Sequence, residues 1–199
     1  MTEKFTSFTA VAAPYDLVNV DTDQIIPARF LKAPREQGYA GFLFHDVRER
    51  ADFFLNHPVF GKAKILVANS NFGCGSSREG APYAFHDAGF RSIIAPSFGD
   101  IFFNNCMKNG IVPVRLEEKA CASLRKFLGE NAGAEVIVDL TSNKVGTPIG
   151  EFAFAVPAFF REMLLEGVDE IGLTLSMLPK IEAFEKDYAA AAPWLTPLS

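Results

Sequence analysis

The sequence has little positive charge: 19 Lys and Arg against 24 Asp and Glu leave a formal net charge of −5 over 199 residues. No basic run is interleaved with aromatics, which argues against a general nucleic-acid surface, because such a surface needs a basic stripe to meet phosphates. No apolar run reaches the ~18 residues of a membrane span. The N-terminal MTEKFTSFTAV lacks the charged-then-apolar pattern of an export signal. Cysteine is scarce too. Cys74, Cys106 and Cys121 are odd in number, widely spaced and form no CxxC pair. Neither a disulfide framework nor a self-contained zinc or iron–sulfur site is expected from them. The expectation is a cytoplasmic chain with free thiols, no metal of its own, and neither nucleic acid nor membrane among its partners.

What the chain does have is apolar residues, 49% of the total with 20 Phe, ample for a large core. Some of the Phe residues could also form a face buried against a partner. The length suits one domain over 1–199. Residues 5–11 alternate loosely and read as a first strand. Residues 21–23 (Asp-Thr-Asp) read as turn or cap chemistry, and 25–27 (Ile-Ile-Pro) as a short buried strand ended by proline. Residues 32–41 read as an exposed loop, and the Phe-rich stretch that follows as helical from Val47.

From about 64 to 130 the pattern is regular. Strands at 64–68, 92–95 and 111–114 alternate with helices at 79–88, 100–109 and 117–128. Gly89, Gly110 and Gly129 follow those helices, where a left-handed C′ residue is favoured. Successive strand–helix repeats imply parallel pairing with right-handed crossovers. Beyond them, 135–140 and 151–156 read as an antiparallel pair across a turn-like TSNKVGTP, followed by helices at 157–166 and 178–190. The fold class is α/β, with β and helical excursions on both sides of the repeats.

The densest chemistry is NSNFGCGSSREGAPYAF, residues 69–85, between the strand at 64–68 and a helix. Gly73, Gly75, Ser76, Ser77 and Arg78 share a tight turn, and Pro82 requires the helix to begin shortly before it. Free backbone amides at a helix start attract anions, and an arginine beside them can grip a carboxylate with two hydrogen bonds. A nucleotide site fails on spacing. The glycines fall as G-x-G-x-x-x-x-G, and Ala81-Pro82 stand where a P-loop needs Lys and Ser/Thr. A plain structural turn and an anion site both remain open on these residues alone.

With NVDTDQIIPARFL (19–31), SFGDIFFNNCMKNGIVPV (97–114) and FFREMLLEGVDEIGLTL (159–175), this turn resembles the small subunits of 3-isopropylmalate dehydratase, kin of the fourth, swivelling domain of aconitase. The resemblance spans nearly the whole chain. It implies a three-layer β/β/α swivelling domain that is inactive without a large subunit. It also implies a hydro-lyase of leucine biosynthesis that interconverts 2- and 3-isopropylmalate, small dicarboxylic hydroxy acids, through 2-isopropylmaleate. A four-iron four-sulfur cluster, held by cysteines of the large subunit, would act as Lewis acid. By the same match Ser76 is the catalytic base, and Gly75, Ser77 and Arg78 bind substrate.

Arg29, Phe30, Leu31 and Lys32 adjoin the loop that in this superfamily helps select the substrate's side group, though a core role for the apolar pair fits equally. Asp21, Thr22 and Asp23 either pin a turn or shape the site. Cys74 reads as a plain thiol, Asn104 and Asn105 as helix packing, and His45, His57 and His86 as structural. Many members carry histidine where this chain has Gly80, which bears on substrate preference more than on reaction class. Two other readings remain: the same dehydration of a neighbouring acid such as 2-methylmalate (through citraconate) or homoaconitate, and a non-catalytic dicarboxylate-binding module.

Overall fold

Residues 65–68 and 92–95 are buried at every position. Strands of that kind need cover on both faces, which is the habit of parallel sheets. The computed structural model, which describes residues 3–75, 79–192 and 194, shows where the cover comes from. In chain order the elements begin with β1 (Ser7–Tyr15), α1 (Thr22–Ile25), β2 (Ile65–Ala68), α2 (Gly80–Asp87), β3 (Ser92–Ala95), α3 (Asp100–Lys108) and β4 (Val112–Arg115). They continue with α4 (Glu118–Glu130), β5 (Glu135–Asp139), β6 (Lys144–Thr147), β7 (Gly150–Ala153), α5 (Ala158–Glu166), α6 (Glu170–Ser176) and α7 (Leu178–Ala191).

Among the described residues there is one seven-stranded mixed sheet, ordered β4-β3-β2-β1-β5-β6-β7. Strands β1 to β4 pair in parallel, with Ala12 opposite Ile65, Ile65 opposite Ser92 and Ser92 opposite Val112. Each crossover from β1 to β4 steps in the same direction, so right-handed connections place the intervening chain on one face. Helix α4 returns along β1, β2 and β3. Its Arg125, 7% exposed, donates to Ala68 O at 2.9 Å and lies 2.8 Å from Asp16, pinning the helix to the ends of β1 and β2. The one polar residue of β3, Ser92, donates from its hydroxyl to Val112 O at 2.8 Å, so its burial leaves no orphan group.

On the other side of β1 the pairing turns antiparallel, and burial alternates along β5, with Val136 and Val138 buried and Ile137 41% exposed. That half has one wet face. The core is aromatic: Phe85 of α2 meets Phe44, Phe72 and Phe90 at ring distances of 5.7, 6.0 and 5.4 Å, tilted or edge-on. Such geometry suits the ring quadrupoles. It also ties the irregular segment before β2 to the floor of the loop after it.

Several expectations change. Residues 25–27 are not a strand. Asp21 caps α1, its Oδ1 accepting the Gln24 amide at 2.7 Å, and only Ile26 is extended. The stretch from Val47 forms two short 3-10 turns, Val47–Glu49 and Phe54–Asn56, instead of a helix. Phe53 and Phe54 are both drawn into the aromatic core. The turn-like TSNKVGTP contains β6, so the two flanking strands each pair with β6 rather than with one another. The turn is made earlier, with Asn143 at φ 54°. Gly129 lies inside α4, and the left-handed glycine after that helix is Gly133. Pro157 caps α5 from outside, and α6 is additional.

Candidate active site

Three loops meet at the C-terminal ends of β1, β2 and β3, the edge of a parallel sheet where ligands bind in open α/β folds. They meet through the backbone. Gly73 N–H donates to Val20 O at 2.7 Å, Thr22 N–H to Cys74 O at 3.0 Å and Phe72 N–H to Ser97 O at 3.0 Å. Gly99 N–H returns to Phe72 O at 2.9 Å. Asn19 and Asn71 both take left-handed φ, 55° and 57°, and the Asn71 side-chain Nδ2 donates to Asn19 Oδ1 at 2.8 Å. Asparagine tolerates that region better than other residues with a side chain.

The glycines are there for space as much as for conformation. Gly73 has φ +71°, and a Cβ on it would lie 2.2 Å from Cγ of Phe102. A Cβ on Gly99 would lie 2.5 Å from Gly73 O, so the two loops touch backbone to backbone. Gly75 has φ +96°, and its Cβ position faces Asp21 Cβ at 3.6 Å and Thr22 Oγ1 at 3.7 Å.

Ser76, Ser77 and Arg78 lie outside the described residues. Before them, Cys74 and Gly75 run beside Asp21 and Thr22. After them, Gly80 opens α2, and the nearest side chains to its Cβ position are Leu31, Tyr39 and Ile26, at 2.5, 3.5 and 3.6 Å. One segment, residues 21–39, therefore brackets the serine–arginine run from both sides. Pro82 is the third residue of α2, and the Tyr83 amide donates to Glu79 O at 3.2 Å, consistent with a helix that begins just before the proline.

The four candidate specificity residues separate in space. Arg29 is ion-paired to Asp46 through two contacts, one at 2.8 Å, and its guanidinium lies 4.6 Å over the Phe30 ring. The hydrogen bond from Arg29 holds the Asp46 carboxyl down at about 2. Phe30 stacks on Phe42 with ring centroids 4.4 Å apart. Lys32 is exposed. Leu31 alone of the four is seen against the residue following the turn.

Cys74 is partly buried, and burial, with Asp21 nearby, pushes its thiol above the usual range, the opposite of an activated thiolate. Burial raises Cys121 to about 11, and Cys106 is fully enclosed with its pKa raised well above the usual value. Among the described residues no three His, Cys, Asp or Glu side chains gather as a metal site. The three thiols thus do not fit as ligands of an iron–sulfur cluster. Among the described residues no helix is long and apolar enough to cross a membrane.

One anchor escaped sequence reasoning. Asp87, at the end of α2, accepts two hydrogen bonds from Arg35 at 2.5 and 2.8 Å and one from the Tyr39 amide at 2.6 Å. Burial acts to raise its carboxyl, but Arg35 and the Tyr39 amide outweigh that and hold it below the ordinary value. The loop of 32–41 is exposed over most of its length, as expected, but is latched to α2 through Arg35 and Tyr39, the latter only 6% exposed. Asp87→Asn is expected to speed amide exchange several-fold across residues 35–42, from a loss of about 1 kcal/mol given the part-exposed arginine. A carboxyl with a depressed folded pKa stabilises above its unfolded value, about 3.9, and less as pH falls through the folded value. The variant's exchange should therefore match the parent's well below pH 4.

Two family models match the chain: the aconitase C-terminal domain over residues 2–119, and the C-terminal domain of 3-isopropylmalate dehydratase small subunits over 170–197. Curated relatives called 3-isopropylmalate dehydratase small subunit include one from Roseobacter denitrificans, 47% identical over 97% of this chain and 100% of its own length. Another, from Rhodospirillum centenum, is 49% identical over 96% of this chain and 98% of its own. A crystal structure of 3-isopropylmalate dehydratase from Methanocaldococcus jannaschii superposes with a TM-score of 0.67 at 26% identity, covering 89% of this chain and 99% of that one.

Proposed function

The chain belongs to the family of 3-isopropylmalate dehydratase small subunits, and we propose that its glycine-rich turn carries the proton-transfer and carboxylate-binding half of a site completed by a large subunit. The class is a hydro-lyase of leucine biosynthesis with the α/β fold of the aconitase C-terminal domain. What supports the turn as the site is the meeting of three loops at the C-terminal edge of the sheet, centred on Gly73 and Gly75.

In this reading Ser76 takes the proton from the carbon next to a carboxylate, and Arg78 holds that carboxylate as its charge grows. Ser77 and the Gly75 amide complete the grip. A neutral serine hydroxyl cannot take that proton, so the base would be the Ser76 alkoxide, its own proton already given to solvent. It becomes the hydroxyl as the substrate's proton arrives, and the negative charge passing to the substrate needs stabilisation. Donors aimed where negative charge develops supply that, more in the transition state than in the ground state. The cluster would come from the large subunit, as the resemblance implies, and it would supply Lewis acidity toward the hydroxyl. The compartment is the cytoplasm, where a cluster-bearing partner and free thiols stay reduced. The whole of 1–199 acts as one domain in this pairing.

Anaerobic mixing of the chain with its large subunit is expected to produce the absorbance of 2-isopropylmaleate from either isopropylmalate, and neither subunit alone should do so. Tight dicarboxylate binding by this chain alone, with no turnover in the mixture, would instead identify a binding module.

A further inference from the structure

Helix α7 is 14 residues long and buries none of them. A helix of that length is marginal in water by itself, and in proteins it is held by packing an apolar face. Its own domain does not supply that packing. Met177 at its cap, Phe184 and Tyr188 fall at i, i+7 and i+11, on one side of the helix. All three are exposed, Phe184 at 65%. The rings of Phe184 and Tyr188 stack with centroids 5.7 Å apart, which joins them in one patch. Ile171 and Leu175 of α6 and Trp194 beyond α7 are exposed as well. More than half of the exposed large apolar side chains among the described residues lie within 171–194. Such a concentration marks an interaction surface.

The arm leaves the fold far from the candidate site. Helix α3 begins at Asp100, next to Gly99 of the meeting loops, and its last residue, Lys108, lies 2.8 Å from Glu170 at the start of α6. Those two ends of α3 are about 12 Å apart along the helix axis. What covers the arm follows from how the chain divides. The aconitase C-terminal domain, matched by 2–119, is in aconitase one part of a longer chain. The domain particular to dehydratase small subunits, matched by 170–197, contains α6 and α7. Two curated small subunits align over 97% and 96% of this chain, which leaves too few unmatched residues for the arm to be missing from them. A domain joined to its neighbour by a linker meets it at about millimolar effective concentration. A separate subunit has to hold its partner by surface contact alone.

We propose that α6 and α7 form a docking arm whose exposed apolar face seats in an apolar groove of the large subunit. This rests on the small-subunit reading above. The mode is that of an amphipathic helix laid into a hydrophobic groove, with Phe184 and Tyr188 as anchors. Because the arm is attached at the end of α3 away from the candidate site, it contributes affinity between the subunits and no chemistry.

The test titrates the full chain with the large subunit under anaerobic conditions. Phe184→Gln with Tyr188→Gln removes both rings and keeps good helix formers on α7. The Kd of this variant, by calorimetry, is expected to rise about 100-fold, since buried aromatic anchors carry most of the energy of an interface. At saturating large subunit its kcat should stay within about twofold, because no transition-state contact is lost. Lys186→Gln, on the opposite side of α7, should leave Kd within about twofold, as surface changes away from a contact do. Neither ring is buried, so the Tm of the chain alone should not fall. Amide exchange over 178–191 of the parent chain gives a second measurement without any variant, and it should slow about tenfold or more on mixing.

An unchanged Kd, a kcat that falls at saturation, or exchange over α7 that stays fast inside the complex overturns the proposal. So does a dimer of the small chain alone that the double substitution dissolves, because a second copy would then cover the face. A parent chain that forms no complex with the large subunit would defeat the small-subunit reading itself, a result distinct from all of these.

Discussion

Ser76→Ala is expected to lower kcat of the reconstituted enzyme by about 10²–10⁴-fold, the usual worth of a positioned general base. KM should change little, since the hydroxyl acts on a proton and the carboxylate grip belongs to Arg78 and its neighbours in the proposed mechanism. A fall in kcat and kcat/KM together marks an interaction made in the transition state. Assembly with the large subunit should persist, because serine to alanine removes one oxygen and leaves backbone freedom nearly unchanged. The measurements are steady-state rates of 2-isopropylmaleate formation alongside gel filtration of the mixture. Near-normal turnover would remove Ser76 from the chemistry. A variant that no longer assembles would move its role to the interface.

The second large effect concerns stability. Gly73→Ala is expected to destabilise the chain by about 2–5 kcal/mol, from two separate costs. An L-residue in the left-handed region costs about 1–2 kcal/mol, and Gly73 has φ +71°. The new methyl would also sit 2.2 Å from Cγ of Phe102, a ring only 2% exposed and packed against Phe72 and Phe85. Overpacking a core of that kind costs about 1–3 kcal/mol. Because domains have only about 5–15 kcal/mol in total, the midpoint of thermal melting should fall by about 5–20 °C. Gly129→Ala is the matched control. Gly129 is helical and its Cβ position has nothing within 4 Å, so alanine should raise stability by about 1 kcal/mol. Equal effects at the two positions would mean that the contact with Phe102 carries no weight.

The same contrast shows what a single sequence can and cannot disclose. Gly73, Gly89, Gly110 and Gly129 look alike in one dimension: each follows a residue pattern that calls for a turn or a helix end. Gly89 and Gly110 take the expected left-handed conformation, at φ 84° and 74°. Gly129 does not, because α4 continues for another residue before the chain turns. Only Phe102, distant in sequence, tells that Gly73 is fixed by a side chain pressed against it.

Local periodicity and turn chemistry by themselves determined the strands β2, β3 and β4, the helices between them, the parallel order that these imply, and the cap at Asp21. Those features depend on neighbours within a few residues, and neighbours are what a sequence displays. The ordered motifs likewise sufficed for the family and its chemistry. Tertiary structure alone decided that the loops after β1, β2 and β3 share one set of backbone hydrogen bonds. It alone decided that residues 47–56 form short 3-10 turns, that β6 rises out of a turn-like stretch, and that Asp87 holds Arg35 and Tyr39 from some fifty residues away. The physical reason is the same in each case: burial and long-range pairing reward contacts between segments whose spacing along the chain carries no period.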